Sequence, residues 1–142
     1  MKEQNFSNHS RYVPGYHFIM SAAMLALLVG SIINLAHSAK ENLYSASLIC
    51  LVGLIFFSVF WYMRVFALKA QDRAIRAEEN FRHFILTGKI LPEGINMSQV
   101  VALRFASDAE FPVLVARAVN EKLKSKDIKQ AIQNWRADHN RA

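Results

Sequence analysis

The hydrophobic positions of this chain fall into two regimes. Leu43–Met63 reads LYSASLICLVGLIFFSVFWYM, with no charge in it. As a helix it spans roughly 31 Å at about 1.5 Å per residue, enough to cross the hydrocarbon core of a bilayer. Phe18–Ala36 is a second uncharged run of similar length, and only the short segment His37–Asn42 separates the two. After Met63 the pattern changes. Phe66, Ala70, Ala74, Ala77, Phe81, Phe84 and Ile85 recur at helical spacing, and the intervening positions carry charge. Neither Gly nor Pro occurs from Val59 to Thr87. The second apolar helix is therefore expected to run on to about Leu86, with this stripe as its buried face. Asp72 with Arg76 and Glu78 with Arg82, each four residues apart, would occupy the solvated side.

Gly88–Asn96, with two glycines and a proline, is the clear loop. Three short helices are expected after it. The first, Met97–Ala106, would bury Val100, Val101 and Leu103. The second would start at Ser107, where Ser107 and Glu110 have capping-box spacing, and would bury Phe111, Leu114, Val115, Ala118 and Val119. The third, from near Ser125, would bury Ile128, Ala131, Ile132 and Trp135. The fold class is an all-α membrane protein, a two-helix transmembrane hairpin whose second helix extends into a small cytoplasmic helical domain. Its parts are an N-terminal segment 1–16, spans 17–37 and 43–63, an external loop 38–42, and the helical domain 64–142.

Charge orients this arrangement. The chain carries 17 Lys/Arg against 11 Asp/Glu, a net of +6. Lys40 is the only Lys or Arg between the two runs, so both termini are expected in the cytoplasm by the positive-inside bias. The excess positive charge then suits the anionic inner leaflet. A cleaved signal peptide fits the first run poorly: its apolar stretch is long and a second follows at once. His9, Tyr12, Tyr16 and His17 suit the headgroup level. The single cysteine, Cys50, lies mid-span and allows no intrachain disulfide.

Three constellations stand out. Ala22, Ala26, Gly30 and Asn34 recur every four residues on the first span and offer a small-residue face for a neighbouring helix. Arg104, Asp108 and Glu110, with Asp72, Arg73 and Arg76 on the long helix, could form a charged pocket. The simpler reading is an ion-pair network that docks the short helices. Lys122, Lys124, Lys126 and Lys129, with Arg117, Arg136 and Arg141, gather around the last helix–helix turn. They suit a lipid surface; the alternative is nucleic acid read through a helix-turn-helix-like region. No nucleophile–base pair accompanies these charges, and the five histidines have no metal-ligand spacing, so no enzyme activity and no cofactor is expected.

Several motifs together resemble a known family. They are Asn8-His9 with Arg11-Tyr12, FALKAQDRAIRAEE at Phe66–Glu79, LRFASDAEFP at Leu103–Pro112 and IKQAIQNWRAD at Ile128–Asp138. The chain resembles an uncharacterised family of small bacterial two-span membrane proteins catalogued as a domain of unknown function. That resemblance implies a bacterial inner-membrane location and no chemistry. Taken together, these features lead to the expectation of a non-enzymatic accessory or scaffolding subunit that binds a membrane partner or itself. The competing expectation is a membrane-tethered regulator of nucleic acid.

Overall fold

The computed structural model describes residues 5–6 and 13–138; His9, Tyr12 and Arg141 lie outside them. The fold is all-α. A single π-helical turn, Gly15–Met20, leads into α1 (Ser21–His37). A 3₁₀ turn at Lys40–Asn42 leads into the 45-residue α2 (Leu43–Thr87). Then come α3 (Met97–Leu103), α4 (Phe111–Asn120) and α5 (Ser125–Ala131). The described residues form two compact units. One lies within Arg11–Phe66; the other lies within Ala67–Ala142 and includes Asn5 and Phe6. α2 contributes to both.

In the first unit α1 turns toward α2 with Ser21, Met24, Leu28, Ser31 and Leu35, alternating three and four residues apart; Ser31 is buried and the others half-buried. α2 answers with Ala46, Cys50, Gly53 and Phe60. The helices approach closely at Gly53, where a Cβ would stand 3.1 Å from Ser31 Oγ and 3.9 Å from Leu28 Cα. The expected small-residue face is not this seam. Ala22, Ala26, Gly30 and Asn34 are exposed, and a Cβ on Gly30 would meet nothing within 4 Å. Strict four-residue spacing advances about 40° per step around a helix, whereas a seam between two helices needs alternating three and four. Near the start of the first helix, the Tyr16 hydroxyl donates to the Phe60 carbonyl (3.2 Å), and its ring stacks on Phe60 at 4.6 Å. The Arg64 guanidinium lies 5.9 Å over the same ring.

The second unit has its core in Val100, Leu103, Phe105, Phe111, Val115, Ala118 and Ile128, all of them buried. The helix faces expected on α3 and α4 are those that pack there, with Val101 and Val119 partly buried at the edge. Asn96 caps α3 by accepting from Gln99 N, and Gln99 returns the bond to Asn96 N. Gln99 Nε2 then donates to the Ala118 and Leu123 carbonyls (2.9 Å each), tying α3 to the end of α4. That end closes with Leu123 N on Ala118 O and Lys122 at φ 50°, a position usually taken by glycine. Gly88, at φ 72°, ends α2 in the same left-handed conformation, with its N–H on Phe84 O.

Three expectations are corrected here. α4 starts at Phe111 rather than Ser107, after a turn over 108–110. Glu110 does not close a capping box on Ser107. Its carboxylate accepts from Gln133 N, Asn134 N and Asn134 Nδ2 instead, and holds the chain after α5. α5 stops at Ala131, and Trp135 arrives in extended backbone, bridged to Ala106 and 5.2 Å from the Phe105 ring. The largest difference is on α2. Phe66, Ala70, Ala74, Ala77, Phe81, Phe84 and Ile85 are all exposed. The helix buries Ile75, Glu79, Arg82 and His83, with Gln71, Asp72 and Asn80 half-buried, so its docked face is mainly polar. Periodicity marks a face but not its cover. Here hydrogen bonds and a guanidinium decide the docking, and Ile75 is the α2 residue in the apolar core among the described residues.

Candidate functional site

The densest arrangement of charge surrounds Arg82, which the turns of α2 place beside Glu79 and His83 on the docked face. Arg82 Nε donates to Asp108 Oδ1 at 2.7 Å, Nη1 to Glu79 Oε2 at 3.0 Å, and Nη2 to the Ala106 carbonyl at 2.7 Å. Nη2 also stands 2.6 Å from Asp108 Oδ1. The guanidinium carbon lies 4.3 Å over the Phe111 ring. Such a forked, ring-stacked cation suits Arg and would not suit Lys. Beside it, His83 Nδ1 lies 2.7 Å from the Lys89 carbonyl, and Asn80 Oδ1 accepts from Leu91 N at 2.8 Å. Together these side chains hold the loop after α2 and the turn after α3 onto the helix.

Glu79 is buried, and its pKa is raised above the ordinary 4.5. Burial is the largest cause; the hydrogen bond and charge of Arg82 oppose it, as does Arg136, while Glu78 adds to it. Asp108 is mostly exposed and completes the pair from the solvent side. A cleft of about 370 Å³ opens beside the cluster, lined by Glu79, Arg82, Asp108 and Arg136, with Phe81 and Ile85 among its apolar lips. Its charges are largely spent on one another. The cluster can dock elements and set their register, and no nucleophile stands in it with a base.

The expected charged network is therefore regrouped. Asp108 pairs with Arg82, not with Arg73 or Arg76, both of which are exposed. Arg104 is buried, lies 4.7 Å over Phe105 and pairs with Asp138 at 3.2 Å. Glu110 serves the segment after α5. Asp72 is half-buried and joins neither group. Arg82 and Glu79 were missed as inward-facing residues. Four-residue spacing pairs Arg82 with Glu78, but Arg82 turns to Glu79 and Asp108 instead. The only signal available was that Glu79, Arg82 and His83 share a face with Ile75.

The basic cluster is divided too. Arg117 is held by Glu121 along α4, Nε to Oε1 at 3.0 Å. That exposed pair raises the Arg117 pKa and lowers the Glu121 pKa, mainly through the hydrogen bond between them. Lys129 is half-buried with its ammonium 5.9 Å over the Phe105 ring, and Arg136 lies on the cleft with Glu79. Lys122, Lys124 and Lys126 are exposed around the α4–α5 turn. Among the described residues no group of three or more His, Cys, Asp or Glu could hold a metal ion.

The class defined so far is an all-helical protein with two long apolar helices and a helical domain organised by a buried arginine. The chain belongs to DUF6526, a family of unknown function, whose model matches residues 1–142. No curated protein and no solved structure matches the chain.

Proposed function

We propose that this protein is an integral protein of the bacterial inner membrane, with both termini cytoplasmic and no catalytic activity. It works as an accessory or scaffolding subunit that binds a membrane partner or a second copy of itself. The observation that carries this reading is the apolar surface of the first unit. The most apolar 18-residue windows of its two helices reach mean hydropathies of 2.2 and 2.3, yet only 6% and 11% of them are buried. Leu25, Val29, Ile32, Ile33, Leu51, Ile55 and Phe56 all face outward. A water-soluble hairpin would expose far more contiguous apolar surface than soluble proteins carry, whereas lipid solvates it without cost.

The hydroxyls agree with this. Ser31, Ser47 and Ser58 donate to the carbonyls of Leu28, Tyr44 and Leu54 on their own helices, which satisfies them where no water is available. The 16 Lys/Arg outside the short connection, against Lys40 within it, support the orientation. Lys122, Lys124 and Lys126 suit an anionic leaflet, while Arg117 is engaged by Glu121 and Lys129 by the Phe105 ring.

Thiol labelling tests the topology. In a Cys50→Ser background, Lys40→Cys should react with an impermeant reagent in intact spheroplasts, and Arg141→Cys only after lysis. Labelling of Arg141→Cys in intact cells would overturn the orientation.

A further inference from the structure

We propose that the exposed apolar stripe of α2 is a parallel self-association face, and that its occupant is the same stripe of a second copy of this chain. The inference rests on the membrane reading above and names the partner within it.

Ala67, Ala70, Ala74, Ala77, Phe81 and Phe84 follow one another at intervals of three, four, three, four and three. This is the a/d alternation of a two-stranded coiled coil, with Ala67, Ala74 and Phe81 at a and Ala70, Ala77 and Phe84 at d. Every one of the six is exposed; Phe81 is 65% and Phe84 50% accessible. The face the helix buries against its own domain is centred on Ile75, Glu79 and Arg82 at the b and f positions, with His83 at c and the half-buried Gln71 at e and Asn80 at g along its edges. The a/d side therefore stays exposed along about five turns, with Phe81 and Glu78 bordering the cleft beside Asp108 and Arg136. Four consecutive alanines let two backbones approach closely, and the two phenylalanines then fill the widening end.

The flanks point to a second copy rather than to lipid. In this register Arg73 falls at g and Glu78 at e, and both are exposed. In a parallel dimer the g residue of one helix faces the e residue of the next heptad on the other, five positions on. Arg73 of each copy then meets Glu78 of its mate, twice over by symmetry. A headgroup surface would favour cations along both edges, and Glu78 would be repelled by anionic lipid. Two copies inserted in one bilayer with the same topology present α2 in parallel. Confinement to the membrane also raises their effective concentration, which a contact this short requires.

The test is oxidative crosslinking of the full chain in native membranes, in a Cys50→Ser background. Ala77→Cys, at a d position, should give a disulfide-linked dimer in high yield, and Arg76→Cys, exposed at a c position outside the seam, should give little. Arg73→Glu and Glu78→Arg should each lower the Ala77→Cys yield roughly fivefold, and the double reversal should restore it. Equal yields at positions 76 and 77, a crosslink to a different polypeptide, or a double reversal that fails to rescue would overturn the proposal. Alkaline extraction of the same samples separates the two levels. Chains retained in membranes without the Ala77→Cys dimer overturn the dimer alone, and chains released to the soluble fraction overturn the membrane reading with it.

Discussion

α2 is one helix, and its halves pack by opposite rules. From Leu43 to Phe66 its outward side chains are mostly apolar, and its two buried positions, Ala46 and Gly53, are small. From Ala67 to Thr87 its apolar stripe faces outward, while Glu79, Arg82 and His83 face the domain. In the first half, burial of apolar area does not tell the helix which way to face, because both sides are apolar. Close approach does, through Ser31 against Gly53. In the second half directional bonds set the face, because Arg82 has donors for three separate partners and a ring beneath it. Hydrophobic periodicity marks a face of a helix, and the partners the fold supplies decide whether that face is covered.

The sharpest way to break this comparison is at Arg82. Arg82→Met removes the cation from Glu79 and Asp108 and strands a buried carboxylate, so the helical domain should lose about 3–5 kcal/mol. Adding Glu79→Leu should recover most of that, because a buried pair is harder to halve than to replace. Thermal unfolding of the full chain in detergent, followed by Trp135 fluorescence in a Trp61→Phe background, measures both. A single-variant loss below about 1 kcal/mol would mean that the apolar core docks α2 without the arginine.

The hairpin gives the next largest effect. Gly53→Leu must displace Ser31 or part the helices, at a cost of about 1–3 kcal/mol. Gly30→Leu enters open space and should leave the hairpin unchanged. Denaturation in mixed micelles compares them, and equal losses would return the seam to the Ala22–Ala26–Gly30 face.

The smallest effect is a pH dependence. The pKa of Glu79 is raised in the folded domain, so folding favours its protonated form. Stability from this group is complete below the ordinary pKa of 4.5 and is lost as pH rises through the raised folded value. Glu79→Gln keeps an acceptor for Arg82 and should flatten that decline. At neutral pH it should be at least as stable as the parent. A variant that loses stability chiefly above pH 4.5 would show that the Arg82 charge outweighs burial.

Much of the fold was legible because it depends on local rules. The extent of α2, the loop 88–96 and the apolar faces of α3 and α4 follow from spacing and from where glycine and proline fall. Ends and partners were less legible. Ser107 and Glu110 have capping-box spacing, but the Glu110 carboxylate is better used on Gln133 and Asn134, which only the folded chain brings near. Asp108 reads as ionic, yet its mate is 26 residues away on the helix face that the stripe assigns to solvent.

By itself, then, the sequence determined the all-helical class, the two apolar helices, the charge asymmetry across them and the periodic faces of each element. These are properties of residue order, repeated every turn. The tertiary structure alone decided which faces meet. Ser31 seats against Gly53 because a glycine leaves room there, and Arg82 turns inward because Glu79, Asp108, Ala106 and Phe111 converge on one guanidinium. Partners distant in sequence leave no periodic trace, so their choice depends on the geometry of the assembled chain.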